Sequence, residues 1–458
     1  MARICIITPG QPSTNPRALK EADAIAQTGH EVRMICSYWA AWATGFDEKL
    51  QRESGWTFEY AGGRPGSNAL RYYRTRLRYG GARRLLRWFP HSQSIQVLSL
   101  GRTVTELRKA AESYVADLYI AHYPGALPAA VAAAERHNAR FGYDAEDFYS
   151  APSEAGPDEL QSAVEACERR YLPLCSYVTA ASPGIRAAYA TKYSECLHSD
   201  PAVILNVFPL AQRPEHFRPT ESEGPLRLYW FSQTIGRTRG LEDIVRAMGA
   251  VRNLPIELHL RGVWQPGYKE ELGYTAQQAG VPPERIISHE PAEPTEMVRK
   301  AAEYDAGLAV EPVSGINANL TVSNKLFTYL LAGNAILATA TDGQKAVFDL
   351  LRNGGLCFHP GDTGDVAKTL KLWFQNRDTL DVVRRSNWES GARLFNWDVE
   401  KVKFLDLIDN ALSTGNIGEG NHLHAIVSWP GFMHSRVQCR IAPAKASCVR
   451  PEPEHSFR

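Results

Sequence analysis

Eight cysteines are scattered between Cys5 and Cys448, and none forms a CxxC pair. That spacing excludes a zinc ribbon and a disulfide framework. There is no apolar run of about 18 residues, so no membrane span is expected. The opening MARICIITPG reads as a first strand and lacks the long apolar region and cleavage site of a signal peptide. Net charge is also missing: at +1 the chain has no overall attraction for nucleic acid. The loop after the first strand, Pro9-Gly10-Gln11-Pro12-Ser13-Thr14, is not GxGxxG, which argues against a nicotinamide dehydrogenase. These absences leave a soluble, cytoplasmic protein, with Cys5 and Cys36 as core thiols in apolar strands.

What is present suffices for two cores. Hydrophobic residues make up 44% of 458 positions, and that length favours two domains of about 200 residues each. Arg3 to Thr8 is a continuous apolar run, as in a central parallel strand. Asn15-Pro16 opens a helix, with Asn at the cap and Pro in the first turn. Leu19, Ala22, Ile25 and Ala26 follow at helical spacing. Glu31 to Cys36 is the next strand, and the alternation continues through strands at Val115–His122, Arg140–Asp144, Tyr177–Ala181 and Ala202–Leu205. Residues 1–209 therefore form one doubly wound α/β domain. Residues 210–225, rich in proline and charge, are the linker. Residues 226–412 restart the alternation as a second domain of the same kind, ending in a long helical region from Val366 to Leu412. Residues 413–458 have no periodicity and are expected to be disordered or loosely attached.

The stretch from Ala69 to Pro90 shifts in composition. It carries Arg71, Arg74, Arg76, Arg78, Arg83, Arg84 and Arg87 among Leu, Tyr and Trp. One reading is an amphipathic surface for an anionic lipid or an anionic acceptor, with peripheral membrane contact. Another is a solvated helical face whose aliphatic residues pack on the core, covered by arginine stems. A nucleic-acid surface is weaker, because the patch is short and the chain is otherwise neutral.

Two stretches carry candidate chemistry. The first strand of the second domain runs into Ser232-Gln233-Thr234-Ile235-Gly236-Arg237-Thr238-Arg239-Gly240. Arg237 and Arg239 flank a glycine loop at a helix start, where guanidinium groups and free backbone donors suit a pyrophosphate. Glu311 begins the second stretch, which runs through Asn317, Asn319, Thr321, Ser323, Asn324, Lys325 and Thr328 to Gly333 and then Gly343. A helix entered through a polar loop leaves N–H groups free and carries partial positive charge. Lys325 is placed to reach a phosphate, and the polar loop residues to bind sugar hydroxyls. Leu326, Phe327, Leu330 and Leu331 equally make an ordinary core helix with Asn324 as its cap.

In order along the chain, these segments resemble the family-4 glycosyltransferases with the glycosyltransferase-B (GT-B) fold. The resemblance covers nearly the whole chain up to about Leu412. It rests on Thr14-Asn15-Pro16-Arg17 with Lys20-Glu21-Ala22-Asp23, on Ala116 to His122, and on Tyr143-Asp144-Ala145-Glu146-Asp147. It continues in Val178 to Gly184, Gly240-Leu241-Glu242, Ser323 to Gly333 and Pro360-Gly361-Asp362. It implies two Rossmann-like domains facing across a cleft and transfer of a sugar from a nucleotide-diphosphate sugar to an acceptor hydroxyl. Retention of configuration, no cofactor and no metal at the catalytic centre are further implications. Arg237, Arg239, Lys325 and Glu146 would be catalytic. Ser232, Gln233, Gly236, Glu311, Asn319, Thr321, Asn324, Thr328 and Gly343 would bind the donor. Gln11, Ser13, Asn15, His122 and Asp144 would lie on the acceptor side, toward a glycan or lipid-linked acceptor. The chain departs from the family at three places. Gln233-Thr234 stands where a Gly-Arg pair is frequent, Glu146 stands in place of a cleft histidine, and Leu320 and Thr328 replace two paired glutamates. The last departure motivates an alternative: a catalytically silent GT-B-like protein that binds a nucleotide sugar or a glycan.

Overall fold

Apolar strands fix the centre of each sheet. In the computed structural model, which describes residues 1–152, 158–311 and 315–413, Ile4, Cys5, Ile6 and Ile7 are fully buried in strand β1 (Arg3–Ile7). On either side of it lie β2 (Glu31–Ser37), β3 (Thr57–Ala61), β4 (Leu118–His122), β5 (Arg140–Ala145), β6 (Tyr177–Ala180) and β7 (Ala202–Val203). Their order is β3-β2-β1-β4-β5-β6-β7 and every pairing is parallel. The second sheet comprises β8 (Leu226–Ile235), β9 (Ile256–Trp264), β10 (Ile286–His289), β11 (Ala306–Ala309), β12 (Ala335–Thr339) and β13 (Gly355–Phe358). Its order is β10-β9-β8-β11-β12-β13, again parallel throughout. The central strands β1, β4, β11 and β12 are buried on both faces, which explains why they read as apolar runs. The fold is GT-B: two Rossmann-like α/β domains in series.

Each sheet reverses its winding beside its first strand, between β1 and β4 and between β8 and β11. Strand connections leave on opposite sides there, opening a crevice at the carboxyl ends. Local signals hold the flanking helices in place. Asn15 Oδ1 accepts from Ala18 N at 3.0 Å and Pro16 occupies the first helical position of Pro16–Gln27.

Some elements differ from the sequence expectation. The chain does not turn into a loop at Ser232 and Gln233: β8 continues to Ile235, with an irregularity between Phe231 and Thr234 where β9 follows alongside. The helical region after Val366 is three helices, Thr363–Gln375, Arg377–Arg393 and Trp397–Ser413. Asn376 ends one helix and caps the next by accepting from Thr379 N, and Asn396 caps the last by accepting from Val399 N, because a short amide side chain competes with the helical ladder. The last of these helices packs on Pro16–Gln27 in the first domain. Trp397 N donates to Phe208 O at 2.8 Å, and Glu400 Oε2 accepts from Leu205 N at 2.9 Å. Beyond Ser413, the tail expected to be disordered lies outside the described residues. Among the described residues no helix is long and apolar enough to cross a membrane.

Candidate functional site

The crevice between β8 and β11 gathers a compact set of charges. Glu311 lies two residues beyond β11 and is anchored by its own backbone, whose N–H donates to Thr339 Oγ1 at 2.6 Å. Its Oε1 accepts from Lys325 Nζ at 2.5 Å and from Ser323 Oγ at 2.7 Å. Arg239, in the loop after β8, places Nη1 3.6 Å from Oε2. Burial raises the Glu311 carboxyl, but Lys325, Ser323 and Arg239 outweigh burial and hold it below the usual carboxylate range. Lys325 stands on Trp230, 5.4 Å from the indole centre. Ser323 is the N-cap of Asn324–Ala332, yet its side chain makes no capping bond. The first turn of that helix therefore keeps open N–H groups beside the cluster. Two cations and a helix N-terminus against one carboxylate leave an excess of positive charge suited to an anion.

The other residues singled out on this side are spread more widely. Arg237 turns to the Tyr268–Ala279 helix, where its Nε donates to Glu271 Oε2 at 2.8 Å. Ser232 and Gln233 belong to β8, and Gly236 is buried against Gln265. Asn324, the first residue of its helix, is exposed. Thr328 is fully buried, and its hydroxyl donates to Asn324 O at 3.2 Å within the helix. Asn319 Nδ2 donates to Asp342 Oδ2 at 2.7 Å and Asn319 Oδ1 accepts from Asp342 N at 3.0 Å. Thr321 Oγ1 donates to Asn317 O at 2.8 Å.

The Ile316–Leu320 helix carries this side of the crevice to the first domain. Asn317 Nδ2 donates to Asp147 Oδ1 at 3.0 Å, and its Oδ1 accepts from Phe148 N at 2.7 Å. Leu320 O accepts from Ser182 Oγ at 2.6 Å. Two glycines permit this approach: a Cβ on Gly184 would sit 2.8 Å from Leu320 O, and one on Gly343 2.4 Å from Thr321 O. Gly343 is thus a close-packing position, with Leu320 docked on the first domain's core.

On the first domain a buried ion network lies beneath the cleft. Arg17 grips Asp144 with Nε and Nη2, each at 2.7 Å, and donates through Nη1 to Ile204 O at 2.5 Å. His122 Nε2 lies 3.0 Å from Glu21 Oε2 and its Nδ1 3.2 Å from Asp144 Oδ2. Glu21, His122 and Asp144 present ligand-type atoms within 4.8 Å of one another, but the Arg17 guanidinium already occupies the Asp144 carboxylate. Burial opposes the charge on His122, yet Glu21 and Asp144 raise its affinity for a proton to about 10. Glu146, directly after β5, accepts from Tyr123 OH at 3.1 Å. Burial and the neighbouring Asp144 raise its carboxyl above the usual range, although Arg17 and His122 oppose them.

Lys20 sits beside this network and reaches across to the last helix. Its Nζ donates to Asn206 Oδ1 at 2.8 Å and Val207 O at 2.5 Å, and lies 5.3 Å from the Trp397 ring centre. Burial and the nearby Arg17 lower it to about 7. The two groups drive stability in opposite directions. His122 stabilises fully below its ordinary 6.5 and loses that contribution as pH rises to about 10. Lys20 imposes a penalty below about 7 that is relieved toward its ordinary 10.5. In Lys20→Met the rising contribution is gone, so urea-unfolding stability should fall between pH 6.5 and about 10 more steeply than in wild type. Parallel curves for the two proteins would contradict these assignments.

Gln11 and Ser13 belong to a separate network at the end of β1. Gln11 Nε2 donates to Asp47 Oδ2 at 2.7 Å, and its Oε1 accepts from Trp39 N and Ala40 N. Ser13 N donates to Asp47 Oδ1 at 2.9 Å, and Tyr60 OH also donates to this carboxylate. Asp47 and Tyr60 form one wall of a cavity of about 390 Å³, with Arg64 and Arg71 on another. Asn15 caps its helix instead of facing this cavity.

Sequence reasoning did not single out Arg17, Glu21 and Lys20 as a site, nor Asp47 and Tyr60. Arg17 and Glu21 carried a signal in their i,i+4 spacing on a helix starting at a crevice. Asp47 and Tyr60 carried none, because they lie on separate elements, Ala43–Glu53 and β3, that only the fold brings together.

Residues 14–196 match the model of the glycosyl transferase 4-like domain. No curated protein is a sequence match to the chain. Many solved structures share its fold, among them the following. Sucrose-phosphate synthase from Thermosynechococcus elongatus is 15% identical, with a TM-score of 0.63 over 89% of this chain and 98% of its own. HepE from Anabaena, solved with UDP and glucose, is also 15% identical, with a TM-score of 0.61 over 89% of this chain and 100% of its own. A glycosyltransferase from Rickettsia africae is 12% identical, with a TM-score of 0.63 over 90% of this chain and 99% of its own.

Proposed function

We propose that this protein is a glycosyltransferase that moves a sugar from a nucleotide-diphosphate sugar to an acceptor hydroxyl. The observation that carries the reading is the Arg239–Glu311–Lys325 cluster beside an open helix N-terminus, at the winding reversal of the second sheet. As the sugar–phosphate bond breaks, negative charge accumulates on the departing diphosphate. Arg239, Lys325 and the free N–H groups are fixed where that charge develops, which lowers the barrier electrostatically. The reaction proceeds with retention, without a metal at the centre, and the glycosyl transferase 4-like match supports an acceptor on the first domain. The cavity bounded by Asp47, Tyr60, Arg64 and Arg71 suits a hydroxyl-rich acceptor with an anionic group. A cytoplasmic setting fits the buried free thiols of Cys5, Cys36, Cys167 and Cys175.

A second reading is a catalytically silent GT-B protein that binds its nucleotide sugar without turnover. It draws on Thr328, whose buried hydroxyl is engaged by its own helix. Incubation with UDP-, GDP- and ADP-sugars, followed by measurement of released nucleotide, separates the two. Release of one nucleotide by wild type is expected, reduced about tenfold in Arg239→Ala. The modest factor reflects that Arg239 is 38% exposed and screened by solvent. Donor binding without release would favour the silent protein, and no binding of any donor would rule out both readings.

A further inference from the structure

The Ala69–Leu85 helix has an anchored side and an unpartnered one. On the anchored side, Thr75 accepts from Arg102 Nη1 at 2.7 Å and Arg78 donates to Glu106 Oε1 at 2.9 Å. Ala82 and Leu86 are buried beneath it. The outward side departs from the expectation that its aliphatic residues pack on the core. Leu70 and Leu77 are each 76% exposed, and Trp88, just beyond the helix, 79%. Tyr73, Leu85 and Phe89 are exposed alongside them. Leu70, Tyr73 and Leu77 recur at i, i+3 and i+7, so they form one stripe. Arg74, Arg83, Arg84 and Arg87 lie along the outward side with that stripe, exposed, and none is in an ion pair among the described residues.

We propose that this face docks on the surface of an anionic lipid bilayer. A rigid helix presenting Leu, Tyr and Trp amid uncompensated arginines matches an interface that is apolar below and negatively charged above. The arginine stems reach past the apolar stripe to the headgroups while the aromatic rings sit at their level. Nucleic acid would use the arginines but leave Leu70, Leu77 and Trp88 in water, since phosphate contacts need no apolar stripe. Arg71 of the same helix lines the cavity beside Asp47, so docking would hold that cavity close to the headgroup layer.

The test reads vesicle binding rather than transfer, so its outcome is independent of the donor chemistry. The full-length protein is sedimented with vesicles of phosphatidylcholine alone and of phosphatidylcholine with phosphatidylglycerol. It should pellet with the anionic vesicles, not with the neutral ones, and added salt should release it. The triple variant Arg83→Ala, Arg84→Ala, Arg87→Ala should partition about tenfold or more weakly. The double variant Leu77→Ala, Trp88→Ala should also weaken, and both should unfold in urea as wild type does because every changed side chain is exposed. Equal binding to neutral vesicles, no binding to either, or an unchanged triple variant would overturn the proposal. So would failure to bind vesicles with a shift of a DNA duplex, or with a dimer in gel filtration that the same substitutions abolish.

Discussion

Replacing Lys325 with alanine is expected to reduce kcat for sugar transfer by about a hundredfold to a thousandfold, with a smaller change in KM for the donor. Three features set that magnitude. The Lys325 side chain is only 11% exposed, so water screens its charge far less than it screens Arg239. It stands at the start of a helix whose first-turn N–H groups are uncapped, so charge and dipole act on the same spot. It is also the principal counter-charge of Glu311, which without it loses the interaction that offsets its burial. The departing diphosphate would then meet a region lacking one cation and retaining a carboxylate. Lys325→Arg should recover part of the loss because it restores the charge with different reach. Steady-state kinetics on the donor that wild type uses, with urea unfolding as a control for folding, provides the check. A Lys325→Ala enzyme within about threefold of wild type would remove the cluster from the mechanism.

The architecture was legible because the central strands of parallel sheets, buried on both faces, require apolar runs, and those runs stand at Arg3–Ile7, Leu118–His122 and Ala335–Thr339 with turn signals between them. The pairing of Arg237 with Glu271 was not legible, because 34 residues separate them and only the folded loop decides which arginine faces the crevice. The continuation of β8 through Ser232 and Gln233 was hidden by polar residues that look like a loop and are tolerated because Gln233 and Thr234 are exposed. Glu311, Lys325 and Ser323 were individually visible as polar residues around a helix start. Their convergence depends on β11 and the Asn324–Ala332 helix meeting at one end of the sheet, which only the topology settles.

The buried network under the cleft gives the sharpest test of stability. Arg17, His122, Glu21 and Asp144 carry two positive and two negative charges, and all four residues are about 1% exposed. Asp144 is the centre: it takes both Arg17 donors, the Thr179 hydroxyl at 2.5 Å, and the approach of His122 Nδ1. Burial would raise its carboxyl, but Arg17 and His122 outweigh that and hold it well below the usual range. Asp144→Asn keeps the shape and removes one charge, leaving a net positive charge in the core. The expected cost is about 3–5 kcal/mol in urea unfolding, the range for breaking a buried pair from one side. That cost should depend on pH. The Asp144 contribution is present above its ordinary 3.8, and the His122 contribution is fully present below its ordinary 6.5. Between those values the difference between wild type and variant is greatest. Toward pH 10 it should shrink, because wild-type His122 sheds its proton at about 10 whereas the variant's His122, facing Glu21 alone, has shed it already. A cost below about 1 kcal/mol, or one constant across that range, would mean that the four residues do not act as one charge-balanced unit.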